Sequence, residues 1–98
     1  MAARKALAVD SSIKASNLRQ LRRIEGQIRG IASMIEGDRY CADVITQVAA
    51  ARESLRTVAR NLLKNHLRHC AAQAMSRTGA NRDAMIDELL ALTDRMDR

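Results

Sequence analysis

From Arg39 to Ser76 the chain contains neither glycine nor proline. A continuous helix over that stretch reaches on the order of 55 Å, at ~1.5 Å per residue. A globule of 98 residues has a radius of gyration near ~13 Å. The helix is therefore too long to be wrapped by its own chain, and a helix of such length calls for a coiled-coil-like partner. Val44, Ile45, Val48, Leu55, Val58, Ala59, Leu62, His66 and Cys70 trace its apolar stripe. The rest of the composition agrees. Apolar residues make up 47%, yet there is no Phe, no Trp and one Tyr, so the core must be aliphatic and strands have little support.

The flanking segments complete an all-α reading. Residues 1–10 lack periodicity and read as a flexible arm, with residues 11–98 as one helical domain. Ser11 or Ser12 is placed to cap a first helix. Leu18, Leu21, Ile24, Ile28, Ile31 and Ile35 then recur at helical spacing. Gly26 and Gly30 interrupt this helix at a cost of about 1 kcal/mol each against alanine. Their spacing puts both on one face, where another backbone can approach. Gly37 is expected to close the first helix and Asp38 to cap the second. Gly79 ends the second helix, and Asn81 caps a short acidic third one.

Three residues on the long helix carry metal-binding chemistry. His66 and Cys70 are four apart and share a helix face. Alone, such a pair is more often packing than chemistry. Cys41 lies roughly 43 Å before Cys70 along an intact helix, so one protomer cannot join them. Two antiparallel copies, related by an axis near residue 54 or 55, place Cys41 of one beside His66 and Cys70 of the other. Two thiolates and an imidazole are a soft, three-coordinate set. Soft ligands take Cu(I) or Zn(II). Structural Zn(II) usually asks for four, and His69 points off the face, so the set fits trigonal Cu(I) better. No Ser-His-Asp arrangement or phosphate-cradling loop is present, and no enzyme is expected.

Net charge is +6, which points to a polyanionic partner. Arg4, Lys5, Lys14, Arg19, Arg22 and Arg23 precede the first helix midpoint with only Asp10 against them. Arg52, Arg56, Arg60, Lys64 and Arg68 recur every four residues, with Glu53 the single acid among them. This is the pattern of a surface that contacts the phosphates of double-stranded DNA. Without aromatic platforms, base stacking on single strands is not expected. No element has helix-turn-helix form, so recognition should lean on backbone and duplex shape. No window is long and apolar enough to span a membrane, and residues 1–9 do not form a secretory signal; the chain is expected in the cytoplasm.

Taken together, LRRIEGQIRG from Leu21, DRYCADVITQVAA from Asp38 and NHLRHC from Asn65 resemble the CsoR/RcnR family of bacterial metal-sensing repressors, over roughly residues 14–96. The resemblance implies a three-helix protomer, an antiparallel helical-bundle dimer and a disk-like homotetramer. It also implies that the metal-free form binds operator DNA and the liganded form releases it. Cys, His and Cys at 41, 66 and 70 look like the copper-sensing branch, with Tyr40 and Glu88 at the places that support the ligands. Persulfide sensors keep both cysteines but lack the histidine, which leaves a thiol-redox repressor using Cys41 and Cys70 as the alternative. A metal-storage protein or a plain helical interaction module would show no DNA affinity. One position departs from many relatives: Gln20 stands where they carry Arg, and Arg19, Arg22 and Arg23 flank it.

Overall fold

In a computed structural model the described residues are Lys5, 9–71 and 79–97, with side chains placed except at Cys70 and Ala71. They form α1 (Ser11–Glu36), α2 (Cys41–Asn65), a π-helical extension of α2 (His66–Ala71) and α3 (Ala80–Met96). No strand occurs among the described residues, and the all-α expectation holds. The radius of gyration is 17.6 Å and the long axis measures 57 Å, well beyond the ~13 Å radius of a compact chain this size. Among the described residues no helix is long and apolar enough to cross a membrane.

α1 begins one residue earlier than the serines suggested. Asp10 is the cap: its Oδ1 accepts from the Ser12 N–H at 2.9 Å, the Ile13 N–H at 3.3 Å and the Ser12 hydroxyl at 2.6 Å. The Ser12 hydroxyl, then the Ile13 and Ser12 amides, hold the Asp10 carboxyl below its ordinary value, and Arg68 adds a smaller pull. Asp10 thus belongs with the helix and not with the arm. Residues 1–4 and 6–8 lie outside the described residues.

α1 closes at Gly37 as expected, whereas Asp38 does not cap α2. Gly37 keeps a negative φ of −87°, and Asp38 takes the left-handed conformation at φ 53°. Arg39 N–H donates to Met34 C=O at 2.9 Å and Asp38 N–H to Ile35 C=O at 3.1 Å. This bonding pattern satisfies two of the last carbonyls of α1. Aspartate tolerates the left-handed region better than most side chains. With Asp38 spent on ending α1, the cap position of α2 falls to Tyr40, which makes no side-chain capping bond.

The two long helices form an antiparallel hairpin. Asp10 N–H donates to Asn65 Oδ1 at 2.8 Å, and Asn61 Nδ2 to Asn17 Oδ1 at 3.2 Å. Asn17 and Asn65 are buried, as are Ile24, Ala51 and Val58. Only part of each apolar stripe is used inside the protomer. Leu18, Leu21, Ile28 and Ile35 on α1 stay exposed, as do Ile45, Val48, Leu55 and Leu62 on α2. On α2, Val48, Leu55 and Leu62 lie seven apart, with Ile45 three before Val48, which is the seam of a coiled coil.

α3 starts at Ala80 behind Gly79, whose φ is +81°; Asn81 is inside the helix and is not its cap. α3 returns antiparallel along α2, so that Glu88 reaches His66 and Asp97 reaches Arg56.

Candidate metal centre

The expected unbroken α-helix changes character at His66. The α2 bonding pattern ends at Asn65 and wider i→i+5 turns run from His66 to Ala71. Such π segments occur often at functional sites. Here the segment holds both His66 and Cys70, the two ligand candidates on this end of the helix. Residues 72–78, where the helix was expected to continue to Ser76, are outside the described residues.

His66 is half-buried, with its side chain 23% exposed. Its Nε2 is sequestered from solvent and makes no hydrogen bond. Glu88 Oε2 from α3 lies 4.0 Å away, too far for a hydrogen bond and near enough to become one after a small rotation. The Cys70 backbone is four residues on, and its side chain is outside the described set. His69, read from the sequence as off the ligand face, is half-buried, with an Nε2 that also lacks a partner.

Cys41 and Tyr40 sit at the opposite end of α2. Cys41 is exposed and in no disulfide, and Tyr40 is exposed as well. Roughly 37 Å of helix separates Cys41 from His66, at ~1.5 Å per residue. The protomer therefore brings together His66 and Glu88, and keeps Cys41 and Tyr40 away from them. Among the described residues of one protomer, no three His, Cys, Asp or Glu side chains converge.

The donors suit a soft metal ion. A thiol on one helix end is open to a second chain. At the other end an imidazole has a carboxylate facing one nitrogen, which leaves Nδ1 as the donor. A ligating imidazole is commonly oriented by such a partner on its far nitrogen. Nothing in the sequence pattern singles out Asn65, yet it sits immediately before His66 and is tied to the start of α1 through Asp10. A buried asparagine in a helix has no sequence signature that announces its partner.

The basic residues lie on the surface. Lys14, Arg19, Arg22 and Arg23 on α1 are exposed, and so are Arg52, Arg56, Arg60, Lys64 and Arg68 on α2 and its extension. Arg56 is not wholly uncompensated: Asp97 Oδ1 is 4.0 Å from its Nη2. An exposed pair at that distance contributes little. Gln20 is half-buried. Arg4 lies outside the described residues.

Residues 13–95 match the family described as "metal-sensitive transcriptional repressor". The copper-sensing transcriptional repressor RicR of Mycobacterium tuberculosis is 49% identical over 80 residues, covering 82% of this chain and 83% of the relative. The copper-sensing transcriptional repressor CsoR of Bacillus subtilis is 46% identical over 71 residues, or 72% of this chain and 68% of the relative. The fold is similar to the crystal structure of the copper-sensing repressor CsoR with Cu(I) from Geobacillus thermodenitrificans. That likeness has a TM-score of 0.80 and 30% identity, and covers 94% of each chain.

Proposed function

The chain belongs to the metal-sensitive transcriptional repressors, and from that membership we propose a copper(I)-responsive repressor that holds operator DNA when metal-free and lets go when Cu(I) binds between two chains. The family is one of transcriptional repressors and not of enzymes. The observation that carries the copper reading is the placement of Glu88 4.0 Å from the sequestered Nε2 of His66. A redox sensor using only Cys41 and Cys70 has no need of an imidazole held in this way.

In this reading two protomers pair antiparallel through the exposed face of Ile45, Val48, Leu55 and Leu62, and two such dimers form a flat tetramer. Cys41 of one chain then joins His66 and Cys70 of the partner subunit. Bound there, Cu(I) would supply a soft acceptor for two thiolates and one imidazole. The chain's own response begins at His66. With Nδ1 taken by a metal, the ring would be fixed and Nε2–H would face Glu88, 4.0 Å away, and closing that gap would draw α3 toward the π segment. Tyr40, beside Cys41, is carried to the same place by the second chain and supports the ligands there. The rearranged tetramer no longer matches the phosphates contacted by Arg19, Arg22, Arg23, Arg52, Arg56, Arg60 and Lys64. Such a protein works beside the chromosome, in the cytoplasm.

The test is a titration of a fluorescent duplex carrying the DNA upstream of this gene. The metal-free protein should bind it with a steep negative salt dependence. Cu(I) should weaken binding by about 5–150-fold, the usual size of allosteric coupling. By linkage, the duplex must weaken Cu(I) binding by the same factor. An affinity that Cu(I) leaves unchanged would sink the reading.

A further inference from the structure

Two asparagine bonds tie α1 to the second half of α2. Asn17 Oδ1 accepts from Asn61 Nδ2 at 3.2 Å, and Asn65 Oδ1 accepts from the Asp10 N–H at 2.8 Å. Asn17 and Asn65 are buried in an otherwise aliphatic hairpin, where a polar side chain is kept only if it is bonded. A hydrogen bond is directional, so each tie fixes the register of the two helices at its own point.

The Asn65 tie differs from the other in what stands at its two ends. On the α2 side, Asn65 is the last residue of the α-helix, and His66 opens the π segment. On the α1 side, Asp10 is locked into its own helix by its remaining polar groups. Its carboxylate caps the Ser12 and Ile13 amides, and its carbonyl accepts from the Lys14 N–H at 3.0 Å. The Ser12 hydroxyl, then the Ile13 and Ser12 amides, lower the Asp10 carboxyl, and Arg68 from the π segment adds the weakest pull. Residues on either side of His66 therefore bear on Asp10, and Asp10 moves with α1 as one piece.

We propose that Asn65 is the positioning residue that couples the ligand segment to α1: its side chain holds the start of α1 to the point on which His66 turns, so that a shift of the π segment carries α1 with it. The proposal rests on the repressor reading and adds to it a route between the metal ligands and the first helix. In this role Asn65 ligates nothing itself. Glu88 bears on His66 from α3, and Asn65 links the same segment to α1, so the ligand end of α2 is held between two helices.

Asn65→Ala is tested against Asn61→Ala, which breaks the neighbouring tie one turn earlier, away from the ligands. Both variants should melt below the parent, because each leaves a partner in the hairpin without its bond. Both should keep the parent's Cu(I) stoichiometry and copper–thiolate absorption, and both should bind the upstream duplex when metal-free. Only Asn65→Ala should lose coupling. The factor by which Cu(I) weakens its DNA binding should fall about 2–30-fold, the usual effect of a change along a coupling route. Undiminished coupling in Asn65→Ala would overturn the proposal. So would an equal loss in both variants, which would make the effect one of hairpin packing. The parent gives a check that needs no variant: its Asp10 amide should resist hydrogen exchange with and without Cu(I), since the tie must stay closed to carry motion. Loss of that protection on adding Cu(I) would also overturn the proposal. If Cu(I) fails to release the parent from DNA, the repressor reading falls and this proposal with it, whereas a normally coupled Asn65→Ala protein overturns the proposal alone.

Discussion

Cys70→Ala is expected to bind the upstream duplex as tightly as the parent and to stay bound when Cu(I) is added. The two functions separate because the residues lie apart. The arginines assigned to DNA occupy the outer faces of α1 and α2, whereas Cys70 lies in the π segment after His66. Removing one of three ligands leaves a thiolate on one chain and an imidazole on the other, too few to hold Cu(I) against the thiols of the cell. The parent's release, about 5–150-fold, should fall to none in anisotropy titrations at fixed salt. Glu88→Gln should give a milder version of the same loss. It retains the metal ligands but weakens the partner that faces Nε2 at 4.0 Å, so Cu(I) should still bind while release is blunted. Normal release by Cys70→Ala would show that the signal does not pass through this site.

The second large effect is at Leu55. This side chain is 46% exposed in the protomer and, in the proposed antiparallel dimer, stands near the axis that would pair Cys41 with the His66–Cys70 segment. Near a twofold axis, each copy meets itself. Leu55→Glu removes two leucines from the seam, worth roughly 1.5–3 kcal/mol each if fully buried. It also sets two carboxylates against each other where water is excluded, which adds to the cost. With only the 46% left exposed in the protomer still to bury, the dimer constant should rise by about 10–10² from the leucines alone. Sedimentation should then find monomer at concentrations where the parent is assembled, with DNA binding and Cu(I) binding lost together. Leu55→Met, which keeps the volume and the apolar character, should restore all three. A Leu55→Glu protein that remains assembled would move the interface elsewhere on α2.

Much of this arrangement was legible in the sequence, for identifiable reasons. The stretch without glycine or proline gave the long helix, and the length of that helix forced Cys41 and Cys70 apart. What the sequence did not show depends on competition between neighbouring residues of similar type or on partners distant in the chain. Ser11 and Ser12 are good caps by type, but Asp10 has the carboxylate oxygen that reaches both the Ser12 and Ile13 amides. Gly37 ends α1 as its type suggests, yet the left-handed conformation falls to Asp38, which leaves α2 without the cap expected there. The change to π geometry at His66 has no local signature. Stripe periodicity also could not divide Ile24, which packs inside the hairpin, from Ile28 and Ile35, which stay exposed.

The shared site is the central claim, and mixed protomers test it most directly. Cys41→Ser and Cys70→Ala chains, each with a different tag, are coexpressed and the mixed dimer is isolated. In an antiparallel pair one site of that dimer loses both cysteines, and the other keeps all three ligands. The account predicts that neither variant alone binds Cu(I) tightly, whereas the mixed dimer binds one equivalent per pair of chains with the parent's affinity. A site within one chain would be broken in every combination, so a mixed dimer without tight Cu(I) binding would contradict it.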